Sequence, residues 1–247
     1  MCSSDLVPVE ILRRLGNVAV AEQAFTLLAA LAKQVCEFNG VVTAGALAER
    51  GFAARPRSPF IGYSNPAGIP GLRTLHGATL GIIGFGEVGR DVARYARAFE
   101  MNVLYFQRSR LGASEEAQLG VRHATLGELM AASDYVVVQL PLNESTRGLL
   151  ERVELAMAKP GQMIVNVARA ELIDHVALVE AIDSGRIGGF ALDVGYSEPT
   201  APDEPLLAFR RGNVILMPHT AIGARQNALA DMQTLCVNLW RRVCAPS

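Results

Sequence analysis

Residues 81–89 read Gly-Ile-Ile-Gly-Phe-Gly-Glu-Val-Gly, and this stretch constrains the fold more than any other. An apolar run, Thr79 to Ile83, enters a G-x-G-x-x-G turn, and a helix-patterned stretch, Arg90 to Glu100, leaves it. The order strand, glycine turn, helix separates this motif from a chance match. Gly84 permits the tight turn, Gly86 lets a pyrophosphate approach the backbone, and Gly89 lets the helix pack closely on the strand. The helix N-terminus then offers free N–H groups and the positive end of a dipole to phosphates. The motif predicts dinucleotide binding, against the plainer reading of a tight structural turn.

What lies downstream extends the pattern. Candidate strands are 79–85, 102–107, 135–140, 163–168, 190–194 and 214–217, all short, apolar and rich in Val and Ile. Buried parallel strands read this way. Helical patterns at 90–100, 126–132, 149–158 and 175–184 lie between several of them. The alternation predicts βαβ units and an α/β fold with a doubly wound parallel sheet. Upstream, 17–38 reads as one long helix, with Val18, Ala21, Phe25, Leu28, Ala32 and Val35 at three- and four-residue steps and Gly40 at its end. Four prolines and four glycines in 51–71 mark an irregular connection, and 224–243 reads as a closing helix.

Composition excludes several classes. Half the residues are hydrophobic and the net charge is −1, so no nucleic-acid or acidic-membrane partner is expected. Cys2, Cys36, Cys236 and Cys244 show no C-x-x-C spacing; they are expected to be reduced, mostly buried thiols in a cytoplasmic protein, with no metal. The longest apolar run, 24–32, is shorter than the roughly 18 residues of a membrane span. Met1–Leu6 could be encoded by GTG TGC TCT TCC GAT CTN, a string like the end of a common sequencing adaptor. The expectation is a gene cut at its 5′ end with these residues not native; the alternative is an ordinary polar N-terminus.

The second strand suggests which nucleotide is bound. An acidic residue about 20 positions past the glycines holds the ribose of NAD. Here the strand closes in Gln107-Arg108-Ser109-Arg110. Gln107 does not repel a 2′-phosphate, and Arg108 and Arg110 can bind one through charge-assisted hydrogen bonds. NADP(H) is therefore favoured over NAD(H), unless the arginines are merely solvated loop charges.

Three polar residues follow predicted strand ends, where open α/β sheets place ligands. They are Arg169 in Asn-Val-Ala-Arg, Glu198 in Asp-Val-Gly-Tyr-Ser-Glu-Pro, and His219 in Met-Pro-His-Thr. Taken singly, they read as a surface charge, a turn and a helix cap. Together with the glycine turn and in this order, from about Asn17 to Ala228, they resemble the D-isomer-specific 2-hydroxyacid dehydrogenases. The resemblance implies a Rossmann-type nucleotide-binding domain and hydride transfer between a nicotinamide and a small 2-hydroxy or 2-keto acid. It implies that Arg169 holds the substrate carboxylate and polarises its carbonyl. His219 would exchange a proton with the carbonyl oxygen. Glu198 would hydrogen-bond the imidazole, set its tautomer and favour its protonated form. Asp193 would orient the nicotinamide carboxamide. Glu87 and Val88 would line the pyrophosphate turn, and Val167 and Ala168 would border the nicotinamide. Leu140 and Pro141 would open a loop, running to Thr146, beside the cofactor. His76, His123 and His175 carry no such context and read as loop or helix-surface residues.

Two departures from the family stand out. Arg169 is followed by Ala170-Glu171 where the family usually has glycines, and Glu171 brings a negative charge that could narrow the substrates accepted. The family's flavodoxin-like substrate lobe, built mostly before the long helix, has only residues 1–16 to represent it. The expected organisation is that remnant, a dinucleotide-binding domain over 17–222, and a C-terminal helix over 223–247. The long helix resembles the family's dimer contact, and its apolar residues run around much of its girth, which either a partner subunit or the absent lobe would cover; a homodimer is expected. Two rival readings stay open: a dinucleotide-sensing binding protein without significant turnover, and an inactive fragment.

Overall fold

The computed structural model describes residues 14–53, 65, 67–209, 213–223 and 225–244. The helices α1 (Leu15–Lys33), α2 (Val35–Phe38) and α3 (Ala44–Glu49) come first. Then follow β1 (Thr79–Ile83), α4 (Glu87–Ala98), β2 (Asn102–Phe106), α5 (Ala113–Leu119), β3 (Val121–His123), α6 (Leu126–Ala132) and β4 (Tyr135–Val138). The chain continues through α7 (Arg152–Met157), β5 (Gln162–Asn166), α8 (His175–Asp183), β6 (Ile187–Leu192), β7 (Val214–Leu216) and α9 (Arg225–Cys244). The strands form one sheet in the order β3-β2-β1-β4-β5-β6-β7, and every pairing is parallel. The order reverses between β1 and β4, which is where a doubly wound sheet opens a ligand crevice.

Alternation along the apolar strands builds a core on each face. Leu80 and Ile82 of β1, Tyr135 and Val137 of β4 and Val165 of β5 pack under α1 and α4. Their neighbours Ile83, Val136, Val138 and Ile164 pack on the opposite face with Leu129 of α6, Leu155 of α7 and Leu178 of α8. Both faces being buried is why no polar alternation shows in these strands.

Four sequence expectations need correction. The helix over 17–38 is broken at Gln34, which takes a left-handed φ of 51° between α1 and α2. The returning chain causes the break: Arg73 N–H donates to Ala32 O at 2.8 Å and Lys33 Nζ to Arg73 O at 2.7 Å, ending the helical ladder. α1 is also long and apolar enough, by length and composition, to cross a membrane, although its longest unbroken apolar run is short. In the structure it is a core helix, with Ala21, Ala24, Leu27, Leu28 and Leu31 buried against the sheet and α4. Those contacts within the chain cover much of the apolar girth that suggested a partner. Cys36 and Cys236 are exposed, not buried. His123 lies on β3 with its ring edge-on to Tyr105, 5.2 Å between centroids. Strand β3 and helices α3 and α5 had no clear apolar signal. Residues 1–13 and most of the connection over 54–66 lie outside the described residues.

Candidate active site

Because all seven strands run parallel, the segments leaving their C-terminal ends share one edge of the sheet. After β1 the chain turns at Gly84, whose φ is +95°. A Cβ there would stand 2.8 Å from the backbone of Gln139, at the end of β4. A Cβ at Gly89 would stand 2.5 Å from Gly84 O. Both glycines are thus required by the turn itself. Gly86 differs, since nothing lies within 4 Å of its missing side chain. The space beside Gly86 at the start of α4 is therefore open, which is what close approach of a pyrophosphate to a helix N-terminus needs. Val88 sits in the first turn of α4, and Glu87 is its first residue. The Glu87 carboxylate turns away to the N-terminus of α1, accepting from Arg14 N at 3.1 Å and Asn17 Nδ2 at 2.5 Å.

A cleft of about 530 Å³ lies between the segments that leave β2 and β4. Gln107, Arg108 and Ser109 line one wall, and Leu140, Pro141, Asn143 and Thr146 the other. Arg108 is exposed at its rim. Gln107 donates to Ser109 O, which folds the end of β2 over. Arg110 does not line the cleft. Its guanidinium grips Glu116 of α5 in a fork, Nε to Oε1 at 2.9 Å and Nη2 to Oε2 at 2.8 Å. Tyr105 OH donates to the same carboxylate at 2.8 Å and accepts from Leu111 N–H. The Arg110 fork and the Tyr105 hydroxyl together hold the Glu116 carboxyl down at about 2. Of the two arginines expected at a 2′-phosphate, only Arg108 lines the cleft; Arg110 is exposed as well, but its guanidinium is paired with Glu116.

At the end of β5, buried Asn166 organises the turn to Arg169. Its Nδ2 donates to Arg169 O at 2.9 Å, and its Oδ1 accepts from Ala168 N at 3.0 Å. Val167 is buried beneath, while Arg169 is exposed with Nη1 donating to Ala168 O at 2.7 Å. This places the guanidinium at the open edge on a rigid base.

Asp193, directly after β6, is fully buried. It accepts from Thr220 N at Oδ1 and Ala221 N at Oδ2, each at 3.0 Å, and its carbonyl accepts from His219 N at 2.8 Å. These three bonds hold the loop after β7. They sustain His219 at a φ of 54°, a left-handed conformation that costs a non-glycine residue about 1–3 kcal/mol. Asp193 therefore acts on the His219 loop, a job the sequence reading did not foresee. The imidazole faces Glu198, with Nδ1 at 3.0 Å from Oε1 and 3.1 Å from Oε2. The two side chains are 43% and 46% exposed, so water screens the pair and it adds little to stability. What it fixes is the ring: Nδ1 is engaged by Glu198.

The glycine turn, the cleft, the exposed Arg169 and the Glu198–His219 pair all lie at the C-terminal edge of one all-parallel sheet, the layout of a dinucleotide-binding domain. Residues 25–221 match the NAD binding domain of the D-isomer specific 2-hydroxyacid dehydrogenases, and the chain belongs to that family. A glyoxylate reductase of Pyrococcus furiosus is 35% identical over 216 residues, covering 87% of this chain and 60% of that protein. A D-3-phosphoglycerate dehydrogenase of Archaeoglobus fulgidus is 34% identical over 215 residues, covering 87% of this chain and 37% of that protein. Among solved structures, a glyoxylate reductase from Paecilomyes thermophila superposes with a TM-score of 0.74 at 32% identity, covering 94% of this chain and 63% of that one. The chain thus spans between 48% and 60% of the length of the curated glyoxylate reductases it matches.

Proposed function

We propose that this chain carries the catalytic nucleotide-binding domain of a 2-hydroxyacid dehydrogenase, working as a 2-ketoacid reductase with NADP(H) preferred over NAD(H). The observation that carries the reading is the Glu198–His219 pair, standing on the same sheet edge as the open Gly86 cradle and Arg169. A bound nicotinamide supplies or accepts a hydride at the substrate's C2. Everything else falls to the chain's own residues.

Arg169 pairs with the substrate carboxylate and draws electron density from the adjacent carbonyl, for which a permanent cation with fork geometry is suited. His219 Nε2 gives a proton to the carbonyl oxygen in reduction and takes it back in oxidation. Glu198 holds Nδ1–H and thereby keeps the ring in the tautomer that works. Asp193 fixes the loop that carries His219 and borders the carboxamide end of the cofactor, beside Val167 and Ala168. Arg108 supplies the positive charge for a 2′-phosphate, and Gln107 raises no repulsion against it. Glyoxylate- or hydroxypyruvate-like acids suit the small, cationic recognition element, and the glyoxylate reductases among the relatives support them. A homodimer fits this reading, with the exposed Phe99 and the apolar side chains of α9 as available surface.

The test is steady-state oxidation of NADPH and NADH by the purified chain against a panel of small 2-ketoacids. Turnover that disappears in His219→Ala supports the enzyme. NADPH binding with no turnover on any acid counts against it and favours a binding or incomplete domain, which the chain's coverage of its relatives makes the second reading.

A further inference from the structure

Glu198 sits on a loop that leaves β6 and has no strand ladder to hold it. What anchors that loop is a cluster outside the site. His175, the first residue of α8, places Nε2 at hydrogen-bond distance, 2.7 Å, from Glu204 Oε1. The same ring stacks on Tyr196, 4.1 Å between centroids and 28° between planes. Tyr196 OH donates to Ile173 O at 2.9 Å, so the phenol is pinned at both its face and its tip. Glu204 Oε1 also accepts from Leu206 N at 3.0 Å, and Leu206 is fully buried. Tyr196 lies two residues before Glu198, and Glu204 six after. One imidazole thus ties both sides of the Glu198 loop to the start of one helix.

That helix is a firm base. Asp174 caps it by accepting from Ala177 N at 2.7 Å, and Ala177, Leu178, Ala181 and Ile182 are buried. Burial, followed by the negative charges of Glu204, Asp174 and Glu171, pushes the Tyr196 phenol well above its ordinary range, so it stays a neutral donor. The Glu204 side chain is only 8% exposed, so its partner cannot be exchanged for water at no cost.

We propose that His175 is a positioning residue for the candidate site: with Tyr196 and Glu204 it clamps the loop that presents Glu198 to His219. The role rests on the reading of Glu198 and His219 given above. It acts through Glu198 and makes no contact with substrate or cofactor. A ring nitrogen paired to Glu204 and a ring face on Tyr196 are both needed, since either alone secures one side of the loop. A surface histidine without this function would leave the His219 ring untouched when replaced.

The experiment is a long-range proton–nitrogen NMR correlation of the imidazole rings at alkaline pH, which reports the tautomer of each. His219 is assigned by its loss in His219→Asn. In the unaltered chain the His219 ring is expected as a single tautomer with the proton on Nδ1, held by Glu198. Glu198→Gln is expected to mix the two tautomers. His175→Ala, and the nearly isosteric Glu204→Gln, are expected to mix them too while keeping a dispersed, folded amide spectrum. If Glu198→Gln mixes the tautomers and both clamp variants leave His219 as it was, the clamp is overturned and the site reading stands. If Glu198→Gln itself changes nothing, Glu198 does not hold the ring, and the site reading falls together with the clamp.

Discussion

The backbone N–H of Ala221 donates to Oδ2 of Asp193 over 3.0 Å, although the two residues are 28 apart in sequence. With the Thr220 bond to Oδ1, it uses a buried carboxylate to fasten the His219 loop to the end of the neighbouring strand. Asp193→Asn places an amide NH₂ opposite one of two backbone donors, so one buried N–H loses its acceptor. The expected cost is about 1–3 kcal/mol, or several degrees of melting temperature for a chain this size. Turnover should fall with it, because the His219 backbone conformation is no longer enforced. Differential scanning calorimetry of the variant, paired with the ketoacid assay, checks both effects. An unchanged melting temperature would show that the carboxylate is not under load.

The three fingerprint glycines should separate into two kinds. Gly84→Ala and Gly89→Ala each drive a Cβ into backbone, at 2.8 Å from Gln139 and 2.5 Å from Gly84 O respectively. Gly84 adds the cost of a positive φ. Both variants should melt lower and bind NADPH poorly. Gly86→Ala meets nothing within 4 Å and should melt like the unaltered chain. It should nevertheless lose NADPH affinity, because the methyl group occupies the approach to the α4 N-terminus. Fluorescence titration with NADPH next to a thermal melt distinguishes the cases. Retained affinity in Gly86→Ala would remove the pyrophosphate from this turn.

Arg108 and Arg110 make opposite predictions despite being near neighbours. Arg108→Ala should weaken NADPH binding about 10- to 100-fold, the worth of one charge-assisted hydrogen bond, and leave NADH binding nearly unchanged. Arg110→Ala should leave the NADPH to NADH ratio alone, because its guanidinium is spent on Glu116. Paired dissociation constants for both nucleotides measure this. A ratio that moves more for Arg110→Ala would return that residue to the cleft.

His219→Ala should lower ketoacid reduction by about 10²–10⁴-fold, the usual range for a general acid. The dissociation constant for NADPH should stay within about twofold, since the glycine turn and the Arg108 cleft are untouched. Single-turnover kinetics with saturating cofactor separates the two quantities. A variant that loses both together would mean that the His219 loop also supports the nucleotide site.

Much of this layout was legible because it depends on local chemistry. Buried parallel strands announce themselves as apolar runs, and the turn after β1 needs glycine at Gly84, for its positive φ, and at Gly89, for its contact with Gly84 O. Arg169, Glu198 and His219 were found by their place after strand ends, which the all-parallel sheet brings to one edge. What escaped was decided by side-chain and backbone pairings that only the folded chain makes. The break at Gln34 is set by Arg73 returning to Ala32 O, forty residues later. Arg110 reads as a phosphate ligand because the sequence does not show that Glu116, six residues on in α5, holds its guanidinium. His175 read as a surface residue because Tyr196 and Glu204 reach it only through the fold. Asp193 was recognised as important, but its grip on Thr220 and Ala221 requires β6 and β7 to be adjacent.

The Glu116 network fixes a pH window for stability. The Arg110 fork and the Tyr105 hydroxyl depress the folded carboxyl from 4.5 to about 2. A group with a depressed folded value favours the folded state once it is ionised in the unfolded chain. Its contribution is therefore complete above about pH 4.5 and is lost as the pH falls toward about 2. Glu116→Gln removes the ionisation while keeping a hydrogen-bonding side chain of similar size. The variant should melt below the unaltered chain at pH 6, and the gap should shrink steadily between pH 4.5 and pH 2. Thermal melts across that range measure the gap. A gap that stays constant with pH would mean that the network contributes through packing and neutral hydrogen bonds alone, and that the Arg110–Glu116 charge pair carries no stability.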